Sequence, residues 1–290
     1  MQYLVLGASG YVGGYLYQRM KETGRSVIGT GRTHENGLVY YDTMKDSLSS
    51  LDNLMEAKEK AAIICVAQTN FDRCQTEYEL SRQINVVSMK RVIEELVQHG
   101  YYIVYFSTDN VFDGTTGDYT EQDATNAISK YGKMKEEMEH FLAEDYPEVC
   151  LYRMPRVVGI KREKKNLLTD FEDRIADEVI RCIKGNQMSV IAQEDIFQAC
   201  LIAADEKLHG IYNLSNGEKF SRKGLAEKFF DAMGAFNKKI IELDLEEFGF
   251  KDIRPLNTTL DNSKFRQRTG YDFMTYDRVV EEYLVLNGYK

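Results

Sequence analysis

A tyrosine and a lysine four residues apart, Tyr131 and Lys135, form the pattern with the clearest chemical use in this chain. On a helix, positions i and i+4 lie on one face, so the two side chains are neighbours. A phenol with a pKa of about 10 exchanges protons poorly at neutral pH. A nearby ammonium group stabilises the phenolate and lowers that pKa. The pair therefore suits the reduction of a carbonyl group, in which hydride arrives at carbon while Tyr131 protonates the oxygen.

Such a pair also occurs by chance in many helices, so a second feature is needed to support it. The segment Ser107-Thr108-Asp109 lies at the end of the strand that precedes the Tyr131 helix. In doubly wound sheets the carboxyl ends of the strands line the ligand crevice. A hydroxyl group at this position can hold the carbonyl oxygen of a substrate, which favours a catalytic role for the pair.

A glycine-rich loop with the spacing G-x-x-G-x-x-G follows the first predicted strand directly. Glycine lets the backbone turn tightly and lets a pyrophosphate approach amide groups, and the dipole of the following helix favours the anion. The alternative is a tight strand-to-helix turn that binds no ligand. The position of the loop between a strand and a helix favours a dinucleotide. The loop residues predicted to contact it are Gly7, Ser9, Gly10, Tyr11, Val12 and Gly13.

The end of the second predicted strand indicates which dinucleotide binds. A site for NAD usually has an acid there to accept hydrogen bonds from the ribose 2′-hydroxyl, but this chain has no acid before Glu35. A 2′-phosphate would instead use Arg32 and the hydroxyl of Thr30 or Thr33, because guanidinium binds phosphate through two hydrogen bonds. We therefore expect NADP(H) to be preferred over NAD(H). The alternative for Arg32 is an exposed loop position.

These residues are positioned by apolar runs that alternate with amphipathic stretches. The alternation predicts an α/β fold, a Rossmann-type doubly wound parallel sheet covered by helices on both faces. The predicted strands are Gln2–Leu6, Ser26–Thr30, Leu38–Tyr41, Ala61–Val66, Tyr101–Ser107, Val149–Met154 and Ile211–Leu214. The predicted helices are a stretch from the glycine loop to about Lys21, Ser47–Ala57, a long stretch that ends at His99, Ala127–Ala143, Leu168–Ile183, Asp195–Ala204 and Ser221–Met233.

The alternation changes after Val158, and this change predicts a smaller C-terminal substrate lobe. We predict that residues 1–158, with about 189–214, form the NADP-binding Rossmann domain. Residues from about 159 to 188 and from 215 to 290 are predicted to form the substrate-binding lobe. The chain would then cross between the two parts more than once.

Composition argues against several other classes of protein. The 290 residues include 37 Lys and Arg and 46 Asp and Glu, and the net charge of −9 argues against nucleic-acid binding. The longest apolar run, Ala61–Ala67, is far shorter than the roughly 20 residues of a membrane-spanning helix. The N-terminus lacks a signal-peptide pattern, and the five cysteines include no C-x-x-C pair, so we expect a cytoplasmic protein with reduced thiols. The four histidines lack metal-ligand spacing, which argues against a metal site.

Taken together, the motifs resemble the extended short-chain dehydrogenase/reductase family, and more narrowly its dTDP-4-dehydrorhamnose reductase-like members. The resemblance covers most of the chain and is strongest up to about residue 155. The matching segments are Gly7–Gly13, Gln83–Val86, Ser107–Gly114, Tyr131–Lys135, Arg254–Asn257 and Leu260–Lys264.

The resemblance implies a catalytic set of Thr108, Tyr131 and Lys135, with Asn85 as a helix asparagine that braces the active site. It implies that residues 67–69, after the fourth strand, run along the cofactor ribose, and that residues 154–156 contact the nicotinamide end. Expected cofactor contacts are accordingly Ala67, Gln68, Tyr131, Lys135 and Met154, and expected substrate contacts are Thr69, Thr108, Asp109, Asn110 and Arg156.

Two positions depart from the family pattern. Asn110 stands where the group usually has tyrosine, and Arg156 where it commonly has an aromatic residue. Both positions face the substrate in that group, so the changes should alter which sugar is held while keeping the hydride machinery. We expect Arg156 to contact an acidic or strongly hydrogen-bonding part of the ligand, either the diphosphate or a carboxylated sugar. The alternative is an ion pair with an acidic side chain of the protein.

The resemblance implies an NADP(H)-dependent reductase of a keto-sugar nucleotide, an oxidoreductase of carbohydrate biosynthesis. A nucleotide-sugar epimerase removes and returns hydride with the same residues. Some relatives with this fold bind NADP as regulatory subunits, such as that of methionine adenosyltransferase, and a redox-sensing binding module is a third alternative. The expected partners are a nucleotide-sugar substrate and a second copy of the chain in a homodimer.

Overall fold

The computed structural model describes residues 1–162, 164–235 and 238–290. Its strands are β1 (Gln2–Leu6), β2 (Val27–Gly31), β3 (Val39–Tyr40), β4 (Lys60–Ile64), β5 (Tyr102–Thr108), β6 (Cys150–Met154), β7 (Arg156–Val158), β8 (Val179–Ile183), β9 (Val190–Ala192), β10 (Gly210–Asn213) and β11 (Lys239–Leu243). Its helices are α1 (Tyr11–Glu22), α2 (Ser49–Asp52), α3 (Phe71–Thr76), α4 (Tyr78–Arg82), α5 (Ser88–Gln98), α6 (Lys130–Asp145), α7 (Leu167–Asp173), α8 (Gln193–Glu206), α9 (Arg222–Ala232), α10 (Ser263–Thr269) and α11 (Tyr276–Leu286).

A seven-stranded parallel sheet forms the centre of the molecule, in the order β10-β6-β5-β4-β1-β2-β3. All five residues of β1 are buried, because helices cover the sheet on both faces. The order reverses between β1 and β4, and the loops after these two strands therefore open a crevice at the carboxyl edge. The predicted doubly wound parallel sheet is confirmed.

Each face of the sheet has its own hydrophobic core. On one face, α1 and α8 pack against the strands through side chains such as Leu16 and Phe197. On the other face, α5 and α6 pack through side chains such as Leu96 and Met138. Full burial of one such side chain contributes about 1.5–3 kcal/mol, so the two layers hold the loops at the carboxyl edge in fixed positions.

A third core lies outside the main sheet and is formed by α7, α9 and α11 with the strand pairs β7–β9 and β8–β11. Phe171, Phe229 and Tyr283 are fully buried in it. Val158 and Val190, which we assigned to the Rossmann domain, also pack in this core. The proposed boundary between the two lobes stays a prediction.

Two helices predicted from the sequence are shorter than expected. The predicted helix Leu168–Ile183 ends at Asp173, and residues 179–183 form β8, because their side chains alternate between buried and exposed and pair with β11. The predicted helix Ser47–Ala57 is reduced to α2. After α2 the backbone N–H groups of Glu56 and Ala57 donate to the side chain of Gln2 instead of continuing a helix.

Helix α6 carries a buried ion pair to the neighbouring strand. The Arg153 guanidinium on β6 donates to the Glu139 carboxylate through Nε at 3.0 and 3.1 Å and through Nη2 at 2.7 Å. The Ser107 hydroxyl, on β5, donates to the same carboxylate. Both charged side chains are at most 3% exposed, so the carboxylate depends on these donors in place of water.

Among the described residues, no helix combines the length and the apolar character needed to cross a membrane. All five cysteines are free thiols, and four of them are buried.

Substitution Glu139→Ala is expected to lower the free energy of unfolding by about 3–5 kcal/mol, because it leaves the Arg153 charge buried without a partner. Urea denaturation measures the loss. The matched control is Glu282→Ala, which removes the exposed pair with Arg278 and is expected to cost about 0.5 kcal/mol or less. Equal losses of unfolding free energy in the two variants would mean that the buried pair stabilises the fold no more than an exposed pair does.

Candidate active site

The glycine loop is too tightly packed to accept side chains at its key positions. Gly7 has φ +85°, and the Gly10 N–H donates to the Gly7 carbonyl at 2.9 Å. A Cβ atom on Gly13 would lie 2.4 Å from the same oxygen. The result is a cradle of backbone at the N-terminus of α1 that fits the pyrophosphate of a dinucleotide. Val12 is half-buried and packs against the core beneath the loop.

Two residues predicted to contact the cofactor, Thr30 and Arg32, lie at the end of β2, the strand that pairs with β1. Thr30 is buried, and its hydroxyl accepts a hydrogen bond from the Gly7 N–H at 3.3 Å, so it braces the glycine loop. Arg32 is exposed just beyond β2. A Cβ atom on the preceding Gly31 would lie 3.1 Å from the Ser9 Cβ, so Arg32 stands at the side of the loop, where an adenosine ribose would lie.

Asn85 holds the loop after β4. It lies in a π-helical turn, Gln83–Val87, that joins α4 and α5. Its Oδ1 accepts from the Gln68 N–H at 2.7 Å, and its Nδ2 donates to the Gln68 carbonyl at 2.9 Å. Ala67 and Thr69 flank this clamp, and Thr69 is exposed. The buried asparagine thus fixes the backbone at Gln68, in the loop that follows β4, the strand next to β1.

A close backbone contact positions Tyr131. The Ser129 hydroxyl caps α6 by accepting from the Gly132 N–H at 3.0 Å. A Cβ atom on Gly132 would lie only 2.1 Å from the Asn110 carbonyl oxygen, so the first turn of α6 sits directly on the segment that follows β5. This contact brings the buried Tyr131 beside Thr108, and the Phe71 ring lies 5.4 Å from the tyrosine ring.

Lys135 lies one turn further along α6 and extends towards β5. Its Nζ donates to the Phe106 carbonyl at 2.7 Å and to the Tyr105 hydroxyl at 3.1 Å. Burial lowers the pKa of Lys135 to about 8, while the Glu139 carboxylate acts in the opposite direction. The two hydrogen bonds hold the ammonium group against β5.

The expected lowering of the Tyr131 pKa by Lys135 is not observed. Burial raises the pKa of Tyr131, the Asp109 carboxylate raises it further, and only the Thr108 hydroxyl acts in the opposite direction. The physical reason is that the Lys135 ammonium faces a backbone carbonyl of β5 in place of the phenol. In this arrangement Tyr131 holds its proton at neutral pH.

The residues after β5 form a closed hydrogen-bond network. The Thr108 hydroxyl donates to Asp109 at 3.0 Å, and the Asn110 side chain donates to Thr108 at 3.0 Å and to Asp109 at 2.6 Å. The other Asp109 oxygen accepts from the Thr258 hydroxyl at 2.6 Å. Burial raises the pKa of Asp109 to about 6 despite these donors. The network fixes the Thr108 hydroxyl next to Tyr131.

The segment after β6 brings two further predicted residues to the same edge. Met154 pairs with Thr108 in the sheet register. Arg156, two residues later, is exposed, while burial and the nearby Arg222 and Arg254 guanidinium groups lower its pKa. Arg156 therefore lies at the carboxyl edge of the sheet, exposed to solvent and near two other arginines. Tyr11 is close enough to Arg156 for the guanidinium to counteract the raised pKa of the phenol.

The interpretation of the sequence missed residues that the structure brings to this edge. The sequence pattern could have indicated Glu139, because this residue continues the i, i+4 spacing of Tyr131 and Lys135 on one helix face. Arg153 was marked less clearly, by its charge within an apolar strand. Thr258 carried no signal, because nothing local marks its contact with Asp109 at a separation of 149 residues. Lys164 also reaches the glycine loop, where its ammonium donates to the Gly10 carbonyl at 2.7 Å.

Comparisons with known proteins give relatives of several kinds. The methionine adenosyltransferase 2 subunit beta of Xenopus tropicalis is 25% identical over 91% of this chain and 81% of the relative. A probable low-salt glycan biosynthesis reductase of Haloferax volcanii is 22% identical over 93% of each chain. A solved dTDP-4-dehydrorhamnose reductase of Clostridium acetobutylicum superposes with a TM-score of 0.85, at 24% identity over 99% of each chain.

A family model extends this likeness over almost the entire sequence. The model described as the RmlD substrate binding domain matches residues 1–287. The resemblance inferred from the motifs is thereby confirmed, including the C-terminal part in which the motifs were weaker. Because the match covers almost the whole chain, the protein belongs to the RmlD substrate binding domain family.

Proposed function

We propose that this protein is an NADP(H)-dependent reductase that acts on the keto group of a sugar nucleotide. The observation that carries the proposal is that Tyr131 and Thr108 lie together at the carboxyl edge of the sheet, the edge at which the Gly7–Gly13 backbone also forms its cradle. A proton donor, a hydroxyl for the carbonyl oxygen and a dinucleotide loop are the parts that carbonyl reduction needs.

Each proposed catalytic group has a distinct task. Bound NADPH supplies the hydride. Tyr131 is protonated at neutral pH, as a tyrosine of ordinary pKa also is, and it delivers that proton to the carbonyl oxygen. Thr108 is fixed by Asp109 and Asn110 and donates a hydrogen bond to the same oxygen. In the catalytic complex Lys135 turns from the Phe106 carbonyl towards the ribose and the phenol, where it stabilises the phenolate that proton transfer leaves behind.

The cofactor assignment is supported by Arg32 and by the absence of an acid before Glu35. A dTDP-4-dehydrorhamnose reductase of Bacillus anthracis, solved in complex with NADP, has a TM-score of 0.85 and 22% identity over 99% of this chain and all of the other. NADP(H) is accordingly the preferred cofactor in this proposal, and Gly7–Gly13, Thr30, Ala67, Gln68 and Met154 would surround it.

A second function is favoured by the relatives named methionine adenosyltransferase 2 subunit beta, at 22–25% identity. In that alternative the protein binds NADP as a regulatory subunit and turns over no sugar. The polar network around Thr108, Tyr131 and Lys135 favours the reductase. An epimerase is distinguished by its cofactor, which would be regenerated in each turnover.

Further parts of the proposal concern partners and location. The substrate is a nucleotide sugar, and residues from about 159 to 188 and from 215 to 290 form the lobe that binds it. Two copies of the chain form a homodimer in the cytoplasm. Crosslinking and size-exclusion chromatography test the dimer.

The decisive experiment is a panel of nucleotide-diphospho-4-keto sugars, assayed by the loss of NADPH absorbance with NADH run in parallel. A reductase consumes one equivalent of NADPH for each sugar reduced. Tight NADPH binding without consumption on any member of the panel would favour the regulatory alternative. Sugar conversion without net NADPH loss would identify an epimerase.

Substitution Arg32→Ala is expected to remove most of the preference for NADP(H) over NAD(H). A charge-assisted contact with the 2′-phosphate contributes about 1.5–3 kcal/mol, and NAD(H) lacks this group. Isothermal titration calorimetry with both cofactors measures the change. Equal affinities for the two cofactors in the wild-type protein would contradict the assignment.

Substitution Tyr131→Phe is expected to reduce turnover by about 10²–10⁴-fold, because it removes the general acid. Cofactor affinity should remain nearly unchanged, since the ring stays in place. Single-turnover reduction of a substrate from the panel provides the rate. Full activity in this variant would mean that another group protonates the carbonyl oxygen.

Substitution Lys135→Met is expected to lower both turnover and NADPH affinity, because Lys135 has both the ribose and the phenolate as partners. Steady-state kinetics and fluorescence titration with NADPH separate the two effects. A loss of turnover without a change in NADPH affinity would exclude the ribose contact.

A further inference from the structure

Arg156 lies at the carboxyl edge of the sheet, just after the end of β6. It begins β7, two residues after Met154, which pairs with Thr108 across β5 and β6. The side chain is exposed to solvent. Its position in the chain therefore places it at the carboxyl edge of the sheet, near the proposed catalytic groups.

Two other arginines act on this part of the cleft, but each has an acidic partner. Arg222 pairs with Asp170, and Arg254 pairs with Asp72 at 3.2 Å. Both guanidinium groups are close enough to lower the pKa of Arg156. Within residues 1–162, 164–235 and 238–290, the Arg156 guanidinium has neither an ion pair nor a hydrogen bond. The expected alternative, a pair with an acid of the protein, is not found there.

Asp109 is the acid near Arg156 that lies next to the catalytic hydroxyl, but its oxygens are already engaged. They accept hydrogen bonds from Thr108, Asn110 and Thr258 at 2.6–3.0 Å. The carboxyl group therefore cannot turn towards Arg156 without breaking this network. Asp170, the other acid near Arg156, is held by Arg222. The cleft thus carries one guanidinium whose charge no described side chain pairs with.

We propose that Arg156 binds a carboxylate on the sugar of the substrate, so that the preferred ligand is an acidic sugar nucleotide. This inference rests on the proposed function and names the substrate class of the same site. A guanidinium fork matches the two oxygens of a carboxylate, and the bidentate pair selects for that group.

The location of Arg156 favours the sugar over the diphosphate as the source of the anion. Arg156 is near enough to Asp109, which holds Thr108, for the two charges to interact, and Thr108 binds the reacting carbonyl oxygen in the proposed mechanism. In a sugar nucleotide the diphosphate is joined to carbon 1, across the ring from a reacting carbon 4. The carboxylate of a hexuronic acid is attached to the ring carbon next to carbon 4, so it lies on the side of the reacting centre.

The test is calorimetric titration of the NADP⁺-saturated protein with UDP-glucuronic acid, UDP-glucose and UDP, repeated with the corresponding thymidine ligands so that the base does not decide the result. The acidic sugar nucleotide is expected to bind at least tenfold more tightly than the glucose compound. Arg156→Met is expected to remove at least tenfold of the affinity for the acidic ligand, which is about 1.4 kcal/mol. Its affinities for UDP-glucose, UDP and NADPH should stay within about twofold.

Two further variants serve as controls. Arg278→Met removes an exposed arginine from α11 and should leave all affinities unchanged. Arg156→Lys keeps the charge without the fork and should retain part of the preference. Because the Arg156 side chain is exposed, its variants should unfold at the same temperature as the wild-type protein.

Each contrary outcome has a separate meaning. Equal affinity of the wild-type protein for UDP-glucuronic acid and UDP-glucose would overturn the inference and leave the reductase proposal intact. A parallel loss for all three uridine ligands in Arg156→Met would assign the arginine to the diphosphate and also overturn it. A parallel loss of NADPH affinity would make Arg156 a structural residue. Failure of every sugar nucleotide to bind the wild-type protein would contradict the proposed function itself.

Discussion

Helix α6 is attached to the sheet through polar groups that have almost no access to water, and the position of the proposed catalytic groups depends on that attachment. Lys135 and Glu139 lie on one face of the helix and reach β5 and β6, where they meet the Phe106 carbonyl and the Arg153 guanidinium. A buried charge is costly without partners, so the register of the helix on the sheet is strongly restricted. Tyr131, one turn earlier on the same face, has its place fixed as a consequence.

The two halves of the crevice are held by different means. On one side the backbone of Gly7–Gly13 is packed so closely that side chains are excluded, and Thr30 braces it from β2. On the other side the Asn85 amide holds both backbone groups of Gln68. Both sets of contacts fix main-chain atoms, so the walls of a dinucleotide site keep their positions before any ligand binds.

The C-terminal part of the chain returns to complete the catalytic edge. Thr258 donates to Asp109, and the Arg254 guanidinium lies 4.6 Å from the Phe71 ring, which in turn packs against Tyr131. These contacts link residues 254–258 to the proton donor. Movement of this part of the chain would therefore displace Asp109 through the hydrogen bond and Tyr131 through the ring contacts.

The sequence by itself determined the sheet, the glycine loop and the placement of Tyr131 and Lys135 on one face of a helix, because these depend on local periodicity and on glycine spacing. It also indicated the family, which the match over residues 1–287 confirms. Strand β8 was missed because five residues that alternate in burial become a strand only through β11, about sixty residues later. The direction of the Lys135 ammonium, the raised pKa of Tyr131 and the contact between Thr258 and Asp109 depend on burial and on long-range partners. Only the tertiary structure decides these, because desolvation and the position of a distant donor are properties of the packed chain and not of its local sequence.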